Sequence, residues 1–479
     1  MNPSPDTLPF TYVTDPTVAP PEGYFALTIV GSGVSTAIPV MGHLSGGCAC
    51  SDAIEHPTGK NNRNNVSMLI TTPLTDTVGA EQQQVIAQEM ADGKYDLPTE
   101  EEIQESRAAK RSHDSFDGQT FNTLLKYPLQ AAPSGEKNTY IPVRQTLIDC
   151  GKTFRGAYFK VLIQRQVRLV DGLLLTHDHA DAMAGLDDLR DLQRMHMSTG
   201  DEGEAAVKEG EVKGHWYIDH YIPTFLSSTT LQSVKNSVVY IYNNSQQLGE
   251  APDSKEGFEQ STATYNANFQ SGEGNVISPA LQQKIKEQQL SAPNDIGIRR
   301  STALQLFTLS TEKVAKFYCP SLGPNIPIYS VPVEHGKNYI SLGFVFGTGV
   351  RFVGEENNNH NHNGSCVVYL SDISANTDVS LQFLQSLVKI DVLVVDVLHG
   401  SGRSNPVHYC MDEAVELIAL LRPKTAFAMG MYCDVEHEEG RLLFQQKVLE
   451  RLAKEKDRSD KEVLLVDLSY DGMQIQLPQ

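Results

Sequence analysis

The residues best suited to chemistry lie in one short segment, Leu173–Ala182, where an apolar run ends in His177, His179 and Asp181. Because the chain turns at the end of a strand, imidazoles two positions apart can converge on one ion while the carboxylate faces a neighbouring position. Two neutral imidazoles and a carboxylate are a donor set that suits zinc. A surface turn that happens to carry polar residues is the alternative, but a cluster of this kind directly after a buried strand favours metal.

The elements that must position these residues are short β-type runs punctuated by glycine, with helical patterns between several of them. Because strands and helices are interleaved along the chain, the pattern predicts an α/β fold class. The predicted strands are Tyr24–Gly31, Val66–Thr72, Thr146–Gly151, Gly172–Thr176, Tyr339–Phe346, Cys366–Ser371, Asp391–Val397 and Val463–Leu468, and the main predicted helices are Leu186–Met197, Val379–Val388, Met411–Leu421 and Glu438–Lys454.

Composition limits the classes of function. The 479 residues are 40% hydrophobic and 20% charged, which is typical of a globular protein with a sizeable core. The net charge of −20 repels phosphate backbones and anionic lipid, so a nucleic-acid-coating role is disfavoured. No apolar run reaches the roughly 18 to 20 residues that a membrane helix needs. The amino-terminal residues lack an apolar signal region, so we expect a cytoplasmic or nucleocytoplasmic protein.

Cysteine usage and irregular segments complete the domain prediction. Seven cysteines argue against a secreted disulfide framework, so a special cysteine is a metal ligand or a buried thiol. We predict a disordered segment over residues 1–22 and a single domain over residues 23–479. Surface insertions are predicted at about 74–138, 243–294 and 355–364, the last containing the low-complexity run NNNHNHNG.

The segment around His177 resembles the metallo-β-lactamase superfamily, whose motif His-x-His-x-Asp-His follows such a strand. Thr176, His177, His179 and Asp181 match this motif, and Ala182 stands where the motif has its last histidine. The resemblance implies that the two histidines hold a first metal. It also implies that Asp181 and the replaced histidine belong to a second metal.

The resemblance continues downstream in the same order. His335, in Val331–Gly336, is similar to the third histidine of the first metal, and Asp372, after Val367–Ser371, to the aspartate that bridges both metals. Alone, each is ordinary turn chemistry, but their order after His177 and His179 favours a metal role. The family's last ligand is a histidine in a Thr-His-x-x-His context. Cys433 is predicted at that position, with an inert buried thiol as the alternative.

Within the superfamily, the chain resembles the group of the phosphoribosyl cyclic-phosphate phosphodiesterase and its eukaryotic relatives. The supporting segments are Gly31–Ser35, Asn62–Asn64, Leu147–Gly151, Gly185–Arg190 and Tyr470–Met473. This resemblance implies an αββα sandwich, two β-sheets face to face with helices outside and the metals at one edge, carrying long surface insertions.

The group resemblance also implies two further sites. His408, in Asn405–His408, would act near the leaving group as a general acid, with a helix-capping histidine as the alternative. Some members hold a structural zinc through three cysteines and a histidine. Cys48, Cys50 and His437 are the candidates here, but Ala53 stands at the third cysteine position. A closed site would need a further ligand, with Cys433, His43 and His56 as the alternatives, so this zinc is expected to be absent or weak.

The resulting prediction is a metal-dependent hydrolase with one or two Zn²⁺ or Mn²⁺ ions per chain. The metal would lower the pKa of its water toward about 7 and supply hydroxide to a small cyclic phosphodiester. Asp181 would hold a second metal or orient the water as a base. The alternatives are an RNA-processing nuclease of the same superfamily and a catalytically impaired binding protein of this fold. Nucleic acid and membrane are not expected as partners, and a homodimer stays open.

Overall fold

The computed structural model describes residues 7–43, 46–74, 129–131, 140–198, 215–218, 220–271, 301–323, 326–354, 364–454 and 462–479. Within these ranges, none of the helices has the length and apolar character needed to cross a membrane. Two large β-sheets and the helices around them form the fold.

The first sheet has ten strands. Its amino-terminal half is antiparallel, and its strands β5, β6, β9, β11 and β10 run parallel to their neighbours. In sheet order, the strands are β1 (Thr11–Tyr12), β20 (Gln474–Pro478), β2 (Tyr24–Gly31), β3 (Ser67–Pro73), β5 (Tyr140–Ile148), β6 (Gly172–Leu174), β9 (Ile222–Ser227), β11 (Leu304–Leu309) and β10 (Gln246–Glu250), with β4 (Leu129–Ala131) paired to β5.

The second sheet has eight strands, of which β15, β17, β18 and β19 are parallel. In order they are β12 (Ala315–Phe317), β13 (Ile328–Glu334), β14 (Ile340–Phe346), β15 (Val367–Leu370), β17 (Val392–Asp396), β18 (Thr425–Met429) and β19 (Leu465–Leu468), with β16 (Ala375–Asn376) paired to β13. A separate ribbon joins β7 (Met195–Ser198) and β8 (His215–Ile218).

Helices connect the strands, and three of them begin with a cap from a side-chain oxygen, one of which is Glu436 accepting from the amide of Glu439. Ser227 accepts a hydrogen bond from the amide of Thr230, and Thr377 accepts one from the amide of Ser380. The helices are α1 (Ala49–Glu55), α2 (Phe154–Ala157), α3 (Ala180–Met183), α4 (Ser228–Ser237), α5 (Val239–Asn243), α6 (Lys255–Ser271), α7 (Asp378–Ser386), α8 (Met411–Leu421) and α9 (His437–Ala453), with a π-turn at Tyr158–Leu162 and 3₁₀ turns at Ile163–Arg165, Leu186–Leu192 and Pro320–Leu322.

The fold has four layers, two β-sheets with helices on the outer face of each, and three apolar layers lie between them. The central layer lies between the sheets and includes Phe25, Phe225 and Phe344. A second apolar layer joins the outer face of the second sheet to its helices, and a third does the same for the first sheet. Strands such as β15 and β17 are buried along their whole length because both faces are covered, which explains their continuous apolar runs. The predicted αββα sandwich is confirmed.

Three local predictions differ from the structure. The amino-terminal segment is ordered from Thr7 onward, because Phe10 packs in the central layer against Phe427 and β1 pairs with β20. The predicted insertion 243–294 contributes β10 and α6, and its residues 272–294 lie outside the described ranges. The predicted helix Leu186–Met197 is a 3₁₀ turn followed by β7. Most of the predicted insertions 74–138 and 355–364 also lies outside the described residues.

Candidate metal centre

The predicted site residues meet at one edge of the sandwich, where strands of both sheets end. His177, His179 and Asp181 follow β6 of the first sheet. His335 follows β13 and Asp372 follows β15 of the second sheet. A hydrogen bond of 2.9 Å from the Leu342 amide to the Thr176 carbonyl joins the two sheets here. The fold therefore brings together five side chains whose positions span nearly 200 residues of the sequence.

His177 is held by a chain of two buried hydrogen bonds. Its Nδ1 lies 2.9 Å from Oγ1 of Thr176, and that hydroxyl donates to the Asp149 carboxylate at 2.8 Å. Because the Thr176 hydroxyl donates its proton to Asp149, its oxygen accepts a hydrogen bond from the N–H at Nδ1 of His177. The Nε2 atom of His177 therefore carries the free lone pair, which is the atom that a metal would bind.

The other two imidazoles are oriented by different contacts. His335 donates from Nδ1 to the Val407 carbonyl at 2.7 Å, which leaves its Nε2 free. That Nε2 lies 3.3 Å from Nδ1 of His179. The exposed ring of His179 stacks on Tyr339, with ring centres 5.1 Å apart and planes inclined by 6°. One nitrogen from each of His177, His179 and His335 thus points to a shared position.

Several acidic side chains surround this position, and their negative charge favours a bound cation. Asp149, Asp372 and Asp396 are buried, and Asp181 is half-buried beside them. Burial raises the pKa of Asp181, and the nearby Asp372 raises it further. Burial also opposes ionisation of Asp372, but the surrounding histidines outweigh it and lower the pKa of that carboxyl.

One buried atom fits a metal in particular. Nε2 of His177 has no hydrogen-bond partner among the described residues, although it lies 3.8 Å from Asp181 and 4.0 Å from Asp372. Burial lowers the pKa of His177, which favours the neutral ring that a metal binds. An unpaired imidazole nitrogen between two carboxylates would be costly without an ion. The donor set therefore fits a divalent metal.

His408 lies at the same edge, in the loop after β17. Its Nδ1 lies 2.7 Å from Oδ2 of Asp396, and the residue forms a compact group with His335 and Asp372. Although burial lowers the pKa of His408, Asp396 outweighs this effect and raises it to about 9. The imidazole is thus oriented and held in its protonated form near the candidate metal position.

Cys433 does not lie in this centre, so the prediction that it is a ligand there is wrong. Its sulfur lies 3.4 Å from Nδ1 of His43, and the sulfurs of Cys48 and Cys50 lie 3.8 and 3.7 Å from the same atom. These four residues form a second group suited to a metal. Sulfur and nitrogen ligands of a tetrahedral zinc lie about 3.6 Å apart, so the spacing fits such an ion.

The ligand set of this second group also differs from the predicted one. His437 is not part of this group. It is the first residue of helix α9, and its buried side chain contacts the ring of Tyr470 edge-on. Ala53 packs beside the cysteines and leaves the third cysteine position without a donor. His43 and Cys433 complete the group instead.

Three contributing residues were missed as site residues at the sequence level, and each carried only a weak signal. Asp396 is an acidic residue inside a buried strand, which a burial argument could have identified. Tyr339 and Asp149 lie within predicted strands. Their roles depend on contacts between distant segments, which spacing does not reveal.

Comparisons with known proteins agree with this geometry. Residues 144–213, which include His177, His179 and Asp181, match the family model of a beta-lactamase superfamily domain. No curated protein sequence matches the chain. The segment that carries the motif therefore matches a domain of this superfamily, as the resemblance implied.

Solved structures similar to this chain include the following three proteins. A diphosphatase of the PhnP family shares 16% identity over 95% of this chain and 97% of its own, with a TM-score of 0.45. Zinc-bound PqqB from Methylobacterium extorquens shares 11% over 94% and 99%, with a TM-score of 0.42. The short form of human tRNase Z shares 10% over 95% and 100%, with a TM-score of 0.39.

Proposed function

We propose that this protein is a metal-dependent phosphodiesterase that hydrolyses a small, cyclic phosphodiester. The observation that carries the proposal is the convergence of three oriented imidazole nitrogens with Asp372, beside a histidine held by Asp396. His177, His179, His335 and Asp372 would hold the metal, with zinc or manganese as the candidates. When bound, such a metal supplies Lewis acidity and lowers the pKa of its water to about 7.

The chain's own residues supply the remaining steps. Because the pKa of His408 is raised to about 9, the ring carries two protons at neutral pH: Nδ1 donates to Asp396 and Nε2 holds the second proton. It would donate this proton to the departing oxygen as the phosphoester bond breaks. Asp181 lies 3.8 Å from the free nitrogen of His177, close enough to the metal position to orient the attacking water.

Hydrolysis of bis(p-nitrophenyl) phosphate and of a ribose cyclic phosphate by metal-loaded protein tests the proposal. We expect turnover with both, and loss of turnover and of metal in His177→Ala. His56→Ala is the matched control, because His56 is an exposed histidine paired with Asp52 away from the centre. Unchanged metal content in His177→Ala would contradict the ligand assignment.

The role of His408 is tested by the leaving group. A general acid contributes most when the departing oxygen is strongly basic. His408→Ala should therefore lose more activity with an alkyl or cyclic ribose ester than with a nitrophenyl ester, by about 10²-fold or more. Equal losses on both substrates would exclude proton donation by His408.

An RNA-processing nuclease of the same superfamily is the competing function. It predicts cleavage of a structured RNA precursor in preference to the small diesters. The net charge of −20 opposes RNA binding, which favours the small substrate. Faster turnover of RNA than of the cyclic phosphate under the same salt conditions would reverse this assignment.

We further propose that His43, Cys48, Cys50 and Cys433 hold a structural zinc. Cys50 and Cys433 are buried and pack with Ile38 and Ala53, and His43 and Cys48 are half-buried beside them, which suits a structural site of four protein ligands. The site ties the segment before α1 to the loop after β18. Cys48→Ser/Cys433→Ser should lose one zinc and unfold at a lower temperature, whereas Cys319→Ser, at a buried cysteine outside the group, should keep its zinc.

A further inference from the structure

We infer that the catalytic centre holds one tightly bound metal ion, because the chain does not supply a second ligand set. This inference rests on the proposed function and specifies its metal stoichiometry. A catalytic zinc takes three protein ligands and keeps a fourth position open. His177, His179 and His335 supply three nitrogens, all within 4.8 Å of one another, to the first ion.

The donors left for a second ion are too few. The group around Asp181 contains only His177 and Asp372 besides Asp181 itself, and His177 already serves the first ion. Asp372 is assigned to the first ion by the proposed function, so Asp181 is the one donor of this group that is not shared. Ala182, which follows Asp181, is buried and offers only a methyl group. The group of His335, Asp372 and His408 shares its first two members with the first ion, and His408 is engaged through Nδ1 with Asp396.

The loop after β18 offers no side-chain donor next to Asp396. Gly430 follows β18 with a φ of +75°, and a Cβ there would lie 2.5 Å from Oδ1 of Asp396. The second oxygen of Asp396 holds His408 at 2.7 Å. A side chain at position 430 would therefore have to displace the carboxylate that positions His408.

The nearest alternative donor from this loop is already committed. Cys433, three residues after Gly430, points to His43 and not to the centre. Of the two positions where the resemblance implies histidines for a second metal, Ala182 therefore has no donor and Cys433 is engaged elsewhere.

Metal counting on the full chain tests the inference. The wild type, Cys48→Ser/Cys433→Ser and the control Cys319→Ser are stripped with a chelator, loaded with excess Zn²⁺, desalted and measured by elemental analysis. The double variant keeps only His43 and Cys50 of the cysteine group, so its tightly bound zinc reports the catalytic centre alone. We expect one zinc per chain in the double variant and two in the wild type and control.

Each other count has a distinct meaning. Two zinc ions per chain in the double variant would overturn the single-metal inference but leave the proposed hydrolase standing. No zinc in a folded double variant would overturn both. If the double variant does not fold, the wild type is loaded with Mn²⁺, which prefers nitrogen and oxygen ligands to thiolates. An isolated Mn²⁺ electron paramagnetic resonance signal supports one metal, whereas an exchange-coupled pair overturns the inference.

Discussion

At the scale of single residues, each candidate histidine ligand depends on a neighbour that fixes its orientation. His177 relies on the hydroxyl of Thr176, His335 on the carbonyl of Val407, and His179 on the ring of Tyr339. Such supporting contacts decide which nitrogen faces the metal. They are therefore as important for metal affinity as the ligands themselves.

Removing one supporting hydroxyl should weaken the centre without removing a ligand. In Thr176→Val, the Nδ1 proton of His177 loses its acceptor and Asp149 loses one donor, both in a buried place. We expect metal affinity to fall about 10- to 100-fold. Competition with a fluorescent zinc chelator measures this change. Thr176→Ser keeps the hydroxyl and should bind nearly as wild type, and equal loss in both variants would disprove the orienting role.

At the scale of elements, the metal loop is held in place by a close backbone approach. The turn after β5 and the segment 179–185 after β6 are joined by hydrogen bonds from Cys150 to Ala182 and from Lys152 to Ala180. Gly151 lies between them, and a Cβ at this position would lie 1.8 Å from the Asp181 carbonyl. The absence of a side chain at Gly151 thus lets the loop that carries Asp181 reach its position.

Gly151→Ala should therefore disturb both stability and metal binding. Because the clash is with backbone, one of the two turns must move, at a cost of about 1–3 kcal/mol. Thermal unfolding with and without metal measures the effect. Gly46→Ala is the control, since a Cβ there meets nothing within 4 Å. Wild-type stability and zinc affinity in Gly151→Ala would show that the two turns can separate freely.

The junction of β5 and β6 contains a buried acid that should make stability depend on pH. Asp171 accepts a hydrogen bond from the Gln145 amide, and burial raises the pKa of Asp171 to about 6 from 3.8. The folded state therefore binds this proton more tightly than the unfolded state. The stabilisation is complete below about pH 4 and is lost as the pH rises through about 6, by about 3 kcal/mol.

Asp171→Asn should remove this dependence, because the amide keeps an acceptor and carries no charge. Relative to wild type, the variant should gain stability between pH 4.5 and 7.5. The difference between the two melting-temperature profiles isolates Asp171 from other titrating groups. Parallel profiles would mean that the carboxyl of Asp171 titrates normally in the folded protein.

How far the sequence predicts the structure differs between elements. Strands buried on both faces, such as β15 and β17, were located to within about one residue, because burial requires a continuous apolar run. Strands β9 and β11 were missed, since polar residues interrupt their apolar pattern. Likewise, His177 and His179 follow from local spacing. The placement of Cys433 depends on which segment packs beside it, and local spacing does not contain that information.

At the scale of the whole molecule, the two candidate metal sites join distant parts of the chain. The centre at the sheet edge links β6 to β13 and β15, whereas the cysteine group links the segment before α1 to the loop after β18. Both sites are absent from an unfolded chain, so metal binding contributes directly to folding stability. The repulsion between Asp181 and Asp372 at the sheet edge adds to this contribution, because a bound cation relieves it.

Chelation should therefore lower the melting temperature in two separable parts. A ligand at 100 times its dissociation constant stabilises the folded state by about 2.7 kcal/mol. Calorimetry of stripped and zinc-loaded protein should show a large shift in wild type and a smaller one in His177→Ala and in Cys48→Ser/Cys433→Ser. The triple variant that combines these changes should show almost none. A full zinc-dependent shift in the triple variant would place the stabilising metal at residues other than these two groups.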